Sequence, residues 1–141
     1  MTNQHDDRPP LLIVDAANVV GSVPDGWWRD RAGANQRLRD SLATLAADGL
    51  AGPGLPEWVR HPPLEVVLVV EGAARKVGGI DQVRVVSAPG SGDDAIVTLV
   101  RDEGTDRPCA VVTADRELRN RVTALGASVL GPRTVRPGVE P

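Results

Sequence analysis

The chain has no phenylalanine, no tyrosine, one cysteine and one lysine, and its aromatic side chains are Trp27, Trp28 and Trp58. A length of 141 residues fits one domain. A domain of that size buries roughly 70% of the surface its unfolded chain exposes. Without large aromatics the core must come from Val, Leu, Ile and Ala, which suit parallel strands covered by helices on both faces. The lone Cys109 excludes an intramolecular disulfide and a cysteine-rich zinc site. It opens the apolar run CAVV and reads as a small buried hydrophobe, not a nucleophile.

No apolar run reaches the roughly 20 residues of a membrane span. The start, MTNQHDDRPP, is polar and has no targeting pattern. The expectation is a cytoplasmic protein with no membrane partner. Net positive charge is also absent. A net charge of -3 argues against gripping nucleic acid by bulk attraction. It leaves room for a nuclease in which bound metal supplies positive charge locally.

What is present alternates between short apolar runs and amphipathic stretches. LLIVD (11–15), EVVLVVEG (65–72), VRVVSA (83–88), CAVVT (109–113) and ASVLG (127–131) read as buried strands. Residues 34–48 place Leu38, Leu42, Leu45 and Ala46 at helical spacing before Gly49. AIVTLVRDEG (95–104) and ADRELRNRVTALG (114–126) read as two further helices. The loop after the first strand carries Trp27 and Trp28, 49–63 is a Gly/Pro-rich loop or insertion, and 72–79 is a Gly-bounded loop with Arg75 and Lys76. Residues 1–10 and 132–141 read as flexible tails around one domain at 11–131. Alternating units predict a three-layer α/β/α fold with a mostly parallel sheet of four or five strands in the order 3-2-1-4-5.

Ligands of such sheets bind beyond the carboxyl ends of the strands, where strand order reverses. Acids occupy those positions here. Asp15 ends the first strand, Glu71 ends the second, Asp93 and Asp94 open the helix after the third, and Asp115 follows the fourth. Each has an ordinary alternative: Asp93 and Asp94 favour a helix start capped by Ser91, Asp115 caps the helix holding Leu118, and Glu71 pairs with Arg75. Together they suggest more. Crowded carboxylates repel unless a hard cation joins them. Oxygen ligands without His or Cys favour Mg²⁺ or Mn²⁺ and phosphodiester hydrolysis.

DAAN (15–18) after a hydrophobic strand resembles the D-x-x-N opening of NYN domains in the PIN-like superfamily of metal-dependent nucleases. LLIVDAANVVGS, VVLVVEG, SGDDAIVTLV and VVTADRELRNR are similar, in order, to the segments of its YacP-like branch, from Leu11 to about Leu130. The resemblance implies an endoribonuclease dependent on Mg²⁺ or Mn²⁺. It makes Asp15 a central metal ligand, Asp94 and Asp115 further ligands, and Asp93 a supporting or ligand acid beside Glu71. Asn18 would orient the scissile phosphate or a water, Thr113 would hydrogen-bond nearby, and Arg116 and Arg119 would meet RNA phosphates. Arg75 and Lys76 sit in the loop after Glu71 as further phosphate contacts. In some members a partner such as the ribosome supplies specificity. The chain departs from the branch at Gly92, in the 49–63 insertion and in the Arg75-Lys76 loop, where substrate choice would reside.

Two other readings compete. One is a PIN-like module that binds RNA or protein without cutting, against which the intact acids speak. The other is a different phosphohydrolase. A haloacid-dehalogenase-type enzyme needs an acid where Ala17 stands. A dinucleotide-binding domain needs a glycine-rich turn that DAANVVG lacks.

Overall fold

The computed structural model describes residues 8–22 and 26–135. Five strands form one parallel sheet in the order β3-β2-β1-β4-β5: β1 (Leu11–Asp15), β2 (Glu65–Val70), β3 (Val83–Ser87), β4 (Cys109–Val112) and β5 (Ser128–Leu130). The helices are α1 (Ala16–Val20), α2 (Arg31–Asp48), α3 (Gly92–Glu103) and α4 (Arg116–Thr123). This is the expected strand order. β1 is central and every residue of it is buried, as a continuous apolar run covered on both faces must be.

Strand parity sorts the core into two layers. Leu12, Val14, Val66, Leu68, Ala110 and Val112 pack with Leu38, Leu42 and Ala46 of α2. Leu11, Ile13, Val67, Val69 and Val111 pack with Ile96 and Val100 of α3 and Leu118 and Val122 of α4. Each fully buried side chain of this kind contributes about 1.5–3 kcal/mol, and the aliphatic set makes two cores without a Phe or Tyr. Cys109 belongs to the second layer, and burial pushes its thiol up to about 11, which suits packing and not nucleophilic chemistry.

Four details differ from the sequence expectation. Residues 16–20 form a short helix where a loop was expected, because Asp15 caps it by accepting from the Asn18 amide at 3.4 Å. The helix expected at 34–48 begins at Arg31, since Asp30 accepts from the Gly33 amide at 3.0 Å. The 49–63 insertion is anchored: Leu50 and Val59 are buried, and the Leu50 amide donates to the Val59 carbonyl. Gly49, at φ +84°, lies where a Cβ would strike the Arg60 carbonyl. The expected tail begins with a helical turn, Pro132–Val135, because Val135 is apolar enough to bury completely in the first layer. The rest of both expected tails, 1–7 and 136–141, lies outside the described residues. Among the described residues no helix is long and apolar enough to cross a membrane.

Candidate active site

Asp15, Glu71 and Thr113 continue the odd parity of their strands and so face the layer of α3 and α4. Both helices begin at this edge. Ser91 caps α3 by accepting from the Asp93 amide at 3.0 Å, and Asp115 caps α4 by accepting from the Leu118 amide at 3.0 Å. The capping roles that the sequence allowed for Ser91 and Asp115 are therefore real. Capping binds one carboxylate oxygen and leaves the other.

Asp15 is 5% exposed, one of few buried polar residues described. Thr113 Oγ1 donates to its Oδ2 at 2.9 Å and accepts from the Asp115 amide at 3.1 Å. One hydroxyl thus links the first acid to the turn that carries the last. Burial, with smaller contributions from Asp93 and Glu71, pushes the Asp15 carboxyl up to about 6, against the pull of the Thr113 and Asn18 hydrogen bonds. Burial also raises the Asp93 carboxyl, together with the charges of Asp115, Glu71 and Glu117, while Arg121 opposes the rise. Asp15, Glu71, Asp93 and Asp115 therefore act on one another electrostatically from four different elements or loops.

Glu71 Oε2 accepts from the Gly92 amide at 3.3 Å. A Cβ at Gly92 would stand 2.8 Å from that oxygen, a contact that the flexible end of the glutamate would relieve by shifting. The expected Glu71–Arg75 pair concerns a side chain outside the description; Arg75 is placed only by its backbone, in the turn Gly72–Lys76, at whose end Lys76 is exposed.

Of the two acids that open α3, Asp93 is the one whose charge acts on Asp15 and Asp115. Asp94 has a side chain 77% exposed and accepts from Arg121 at 3.1 Å. The sequence reading gave Asp94 as a ligand with Asp93 in a supporting or ligand role; of the two, Asp93 is the one that feels the charges of Asp115 and Glu71. Arg121 and Glu117 escaped the sequence reading because α4 alone does not reveal which of its charges face α3. Asn18 accepts from the Ala114 amide at 2.8 Å, tying the β1–α1 turn to the β4–α4 turn, and among the described residues its Nδ2 has no partner. Arg116 and Arg119 are exposed on α4 and form no ion pair among the described residues.

Among the described residues no three Asp, Glu, His or Cys side chains stand together as a ready-made metal cage. The donor chemistry nevertheless suits a hard divalent cation. All donors are oxygens, and a Mg²⁺ site typically uses one or two carboxylates and fills its shell with water. Asp15 and Asp93 repel each other, and that repulsion among the acids is what a cation would relieve.

The strand order, the two helical layers and the acid-lined switch point define a three-layer α/β domain of the PIN-like fold. Solved structures of Rae1 (YacP) from Bacillus subtilis share it. A single-residue variant of that protein superposes with a TM-score of 0.67 at 19% identity, covering 91% of this chain and 73% of that one. The unsubstituted protein gives 0.66 at 18% identity, covering 90% and 71%. Neither family models nor curated proteins match the chain. The likeness at this identity is one of fold.

Proposed function

We propose that the chain is a metal-dependent endoribonuclease that hydrolyses RNA phosphodiester bonds at the Asp15 edge of the sheet. One observation carries the reading. Asp15 is a buried carboxylate at the end of the central strand, with further acids acting on it and no cation set against it among the described residues. Capping α1 needs only an acceptor oxygen, which an uncharged side chain also supplies, whereas burial and repulsion both disfavour the charge.

Asp15 and Asp93 would hold Mg²⁺ or Mn²⁺, with Glu71 and Asp115 at the rim and Asp94 available on leaving Arg121. The bound ion would supply Lewis-acid activation of water and neutralise charge on the phosphate. The chain's own groups do the positioning. Thr113 fixes the Asp15 carboxylate through Oδ2. Asn18 holds two turns together and presents its Nδ2 as a donor to a phosphate oxygen. Arg116 and Arg119 on one side, with Arg75 and Lys76 on the other, meet flanking phosphates, so local charge replaces the bulk attraction that a net charge of -3 denies.

The test is cleavage of single-stranded RNA by the wild type, Asp15→Asn and Asp93→Asn, with Mn²⁺ and with a chelator. The reading expects cleavage only with the metal and a loss of roughly 100-fold or more for Asp15→Asn, the scale of a lost catalytic electrostatic group. Cleavage that survives chelation, or an Asp15→Asn variant as active as wild type, overturns it. RNA binding without cleavage under any divalent ion would favour the non-cutting module instead.

A further inference from the structure

A short helical turn, Trp27–Arg29, precedes α2. Because α2 runs back to the start of β2, its first residues and this turn stand at the carboxyl edge of the sheet. Trp27 and Arg31 accordingly line one cavity with Ala17 of α1 and with Gly72 and Ala74 of the turn after β2. The turn is fixed at both ends. Gly26 opens it at φ +88°, a conformation that glycine adopts without strain. The Arg29 amide donates to the Gly26 carbonyl at 3.0 Å, and the Asp30 amide donates to the Trp27 carbonyl at 3.1 Å.

The two tryptophans of the turn differ. Trp27 is half-buried and packs against the first core layer. Trp28 meets it edge-to-face with ring centres 5.8 Å apart and is 51% exposed, the one exposed large apolar side chain among the described residues. An edge-to-face contact engages at most one face of a ring, so Trp28 keeps a face for something else. Its neighbours are cations. Arg29 and Arg31 are exposed and pair with no acid among the described residues, and the Arg31 guanidinium carbon lies 5.3 Å from the Trp27 ring centre. Asp30 between them is engaged in capping α2. One tryptophan among charges is far smaller than the roughly 800 Å² that a stable protein interface takes from each partner. It matches a single base, for which a rigid flat ring with cations beside it is enough.

We propose that Trp28 is a stacking platform for one unpaired base of the RNA strand, with Arg29 and Arg31 meeting the phosphates beside that base. The identity of the strand as RNA rests on the ribonuclease reading; the chemistry of the surface does not. Every base has a π-face, so the platform holds an unpaired strand without choosing its sequence. In a duplex those faces are covered by neighbouring bases. The placement also gives the strand a direction. The turn lies on the α2 side of the sheet, while Arg116 and Arg119 lie on α4, which covers the other face. A strand that touches both must cross the acid edge between them.

The test is binding of a short fluorescein-labelled oligoadenylate to the full chain in chelator, where cleavage does not intervene, read by anisotropy and by tryptophan emission. Wild type, Trp28→Phe, Trp28→Leu and Trp28→Ala are compared. Trp28 lies outside both core layers, so all four should melt at similar temperatures. Trp28→Ala and Trp28→Leu should weaken binding about fivefold or more, the effect of one lost base stack, while Trp28→Phe keeps most of it. RNA should quench the emission of wild type, and Trp28→Phe should bind with most of that quenching gone. Arg29→Gln and Arg31→Gln should each flatten the salt dependence by about 0.7 unit of slope. A Trp28→Ala variant that binds within about twofold of wild type overturns the proposal. So does Trp28→Leu binding as tightly as Trp28→Phe, which would show apolar contact without stacking. Equal affinity of wild type for the oligoadenylate and for an RNA duplex of the same length would also overturn it, because phosphate charge alone would then explain binding. The ribonuclease reading is scored separately by the Asp15→Asn cleavage assay, so either idea can fail while the other stands.

Discussion

β2 opens with one glutamate and is followed directly by another, and the two are treated differently. Glu65 at its start lies 2.7 Å from Arg107 and 3.6 Å from Arg84. Those arginines also bracket Glu103 at the end of α3, at 4.0 Å and 2.9 Å, and Arg107 donates to the Pro9 carbonyl at 2.8 Å. Hydrogen bonding to Glu103 holds the Arg84 guanidinium firmly charged. Glu71, just past the other end of the strand, receives one backbone amide and shares its surroundings with Asp15 and Asp93. At one edge of the sheet charge is balanced side chain against side chain. At the other, acids accumulate with Arg121 as the cation that acts on them from α4. The lesson is that this chain can compensate buried charge and does so where charge is structural. The uncompensated edge is the one proposed as the active site.

The largest expected effect falls on the balanced edge. The Arg107 side chain is 2% exposed, so Arg107→Ala strands Glu65 and Glu103 and opens a hole. The expected loss is roughly 2–4 kcal/mol in urea unfolding, below the full cost of breaking a buried pair because both glutamates keep contact with water. A loss under about 0.5 kcal/mol, an ordinary surface value, would dissolve the contrast between the two edges.

At the acidic edge the sign reverses. The Asp15 carboxyl titrates near 6 in the folded chain and near 3.8 when free. Between those values the folded state holds more protons than the unfolded one, so stability falls as pH rises from about 4 to above 6. Asp15→Asn removes that ionisation and keeps a good helix cap. In metal-free buffer at pH 7 it should stabilise the domain by up to about 3 kcal/mol and flatten the slope over that window. Thermal melts at pH 4, 5, 6 and 7 measure this, and a steeper slope in the variant contradicts it.

The smallest effect concerns the exposed arginines. Arg116→Ala should change stability by no more than about 0.5 kcal/mol. It should also flatten the salt dependence of RNA affinity by about one unit of slope. An unchanged slope would move the RNA path away from α4. The 49–63 loop is a poor substitute, since it enters β2 at Glu65 and so lies toward the balanced edge, with Arg60 donating to the Gly52 carbonyl.

Most of the fold was legible because buried parallel strands are continuous apolar runs and their order follows from βαβ alternation. The acids were legible for the same reason: strand ends can be counted. Helix starts were less so. Asp15 and Asp30 act as caps, and a cap is read from the turn it makes and not from its residue type alone. The difference between Asp93 and Asp94 was invisible in sequence, because it depends on how α4 sets Arg121 against α3. Asn35 was invisible for a related reason. An Asn at a core-facing position of a helix looks like a polar interruption until its side-chain oxygen is found buried without a partner among the described residues.

The most direct test of the central claim is a crossed melting experiment on wild type and Asp15→Asn, each with chelator and with millimolar Mn²⁺. An acidic edge held for a cation predicts that the variant melts higher than wild type in chelator. It also predicts that Mn²⁺ raises wild type by about 1.4 kcal/mol for a tenfold excess over its dissociation constant and the variant by much less. Equal responses of the two proteins to Mn²⁺, with wild type already the more stable in chelator, would show that Asp15 is a structural acid.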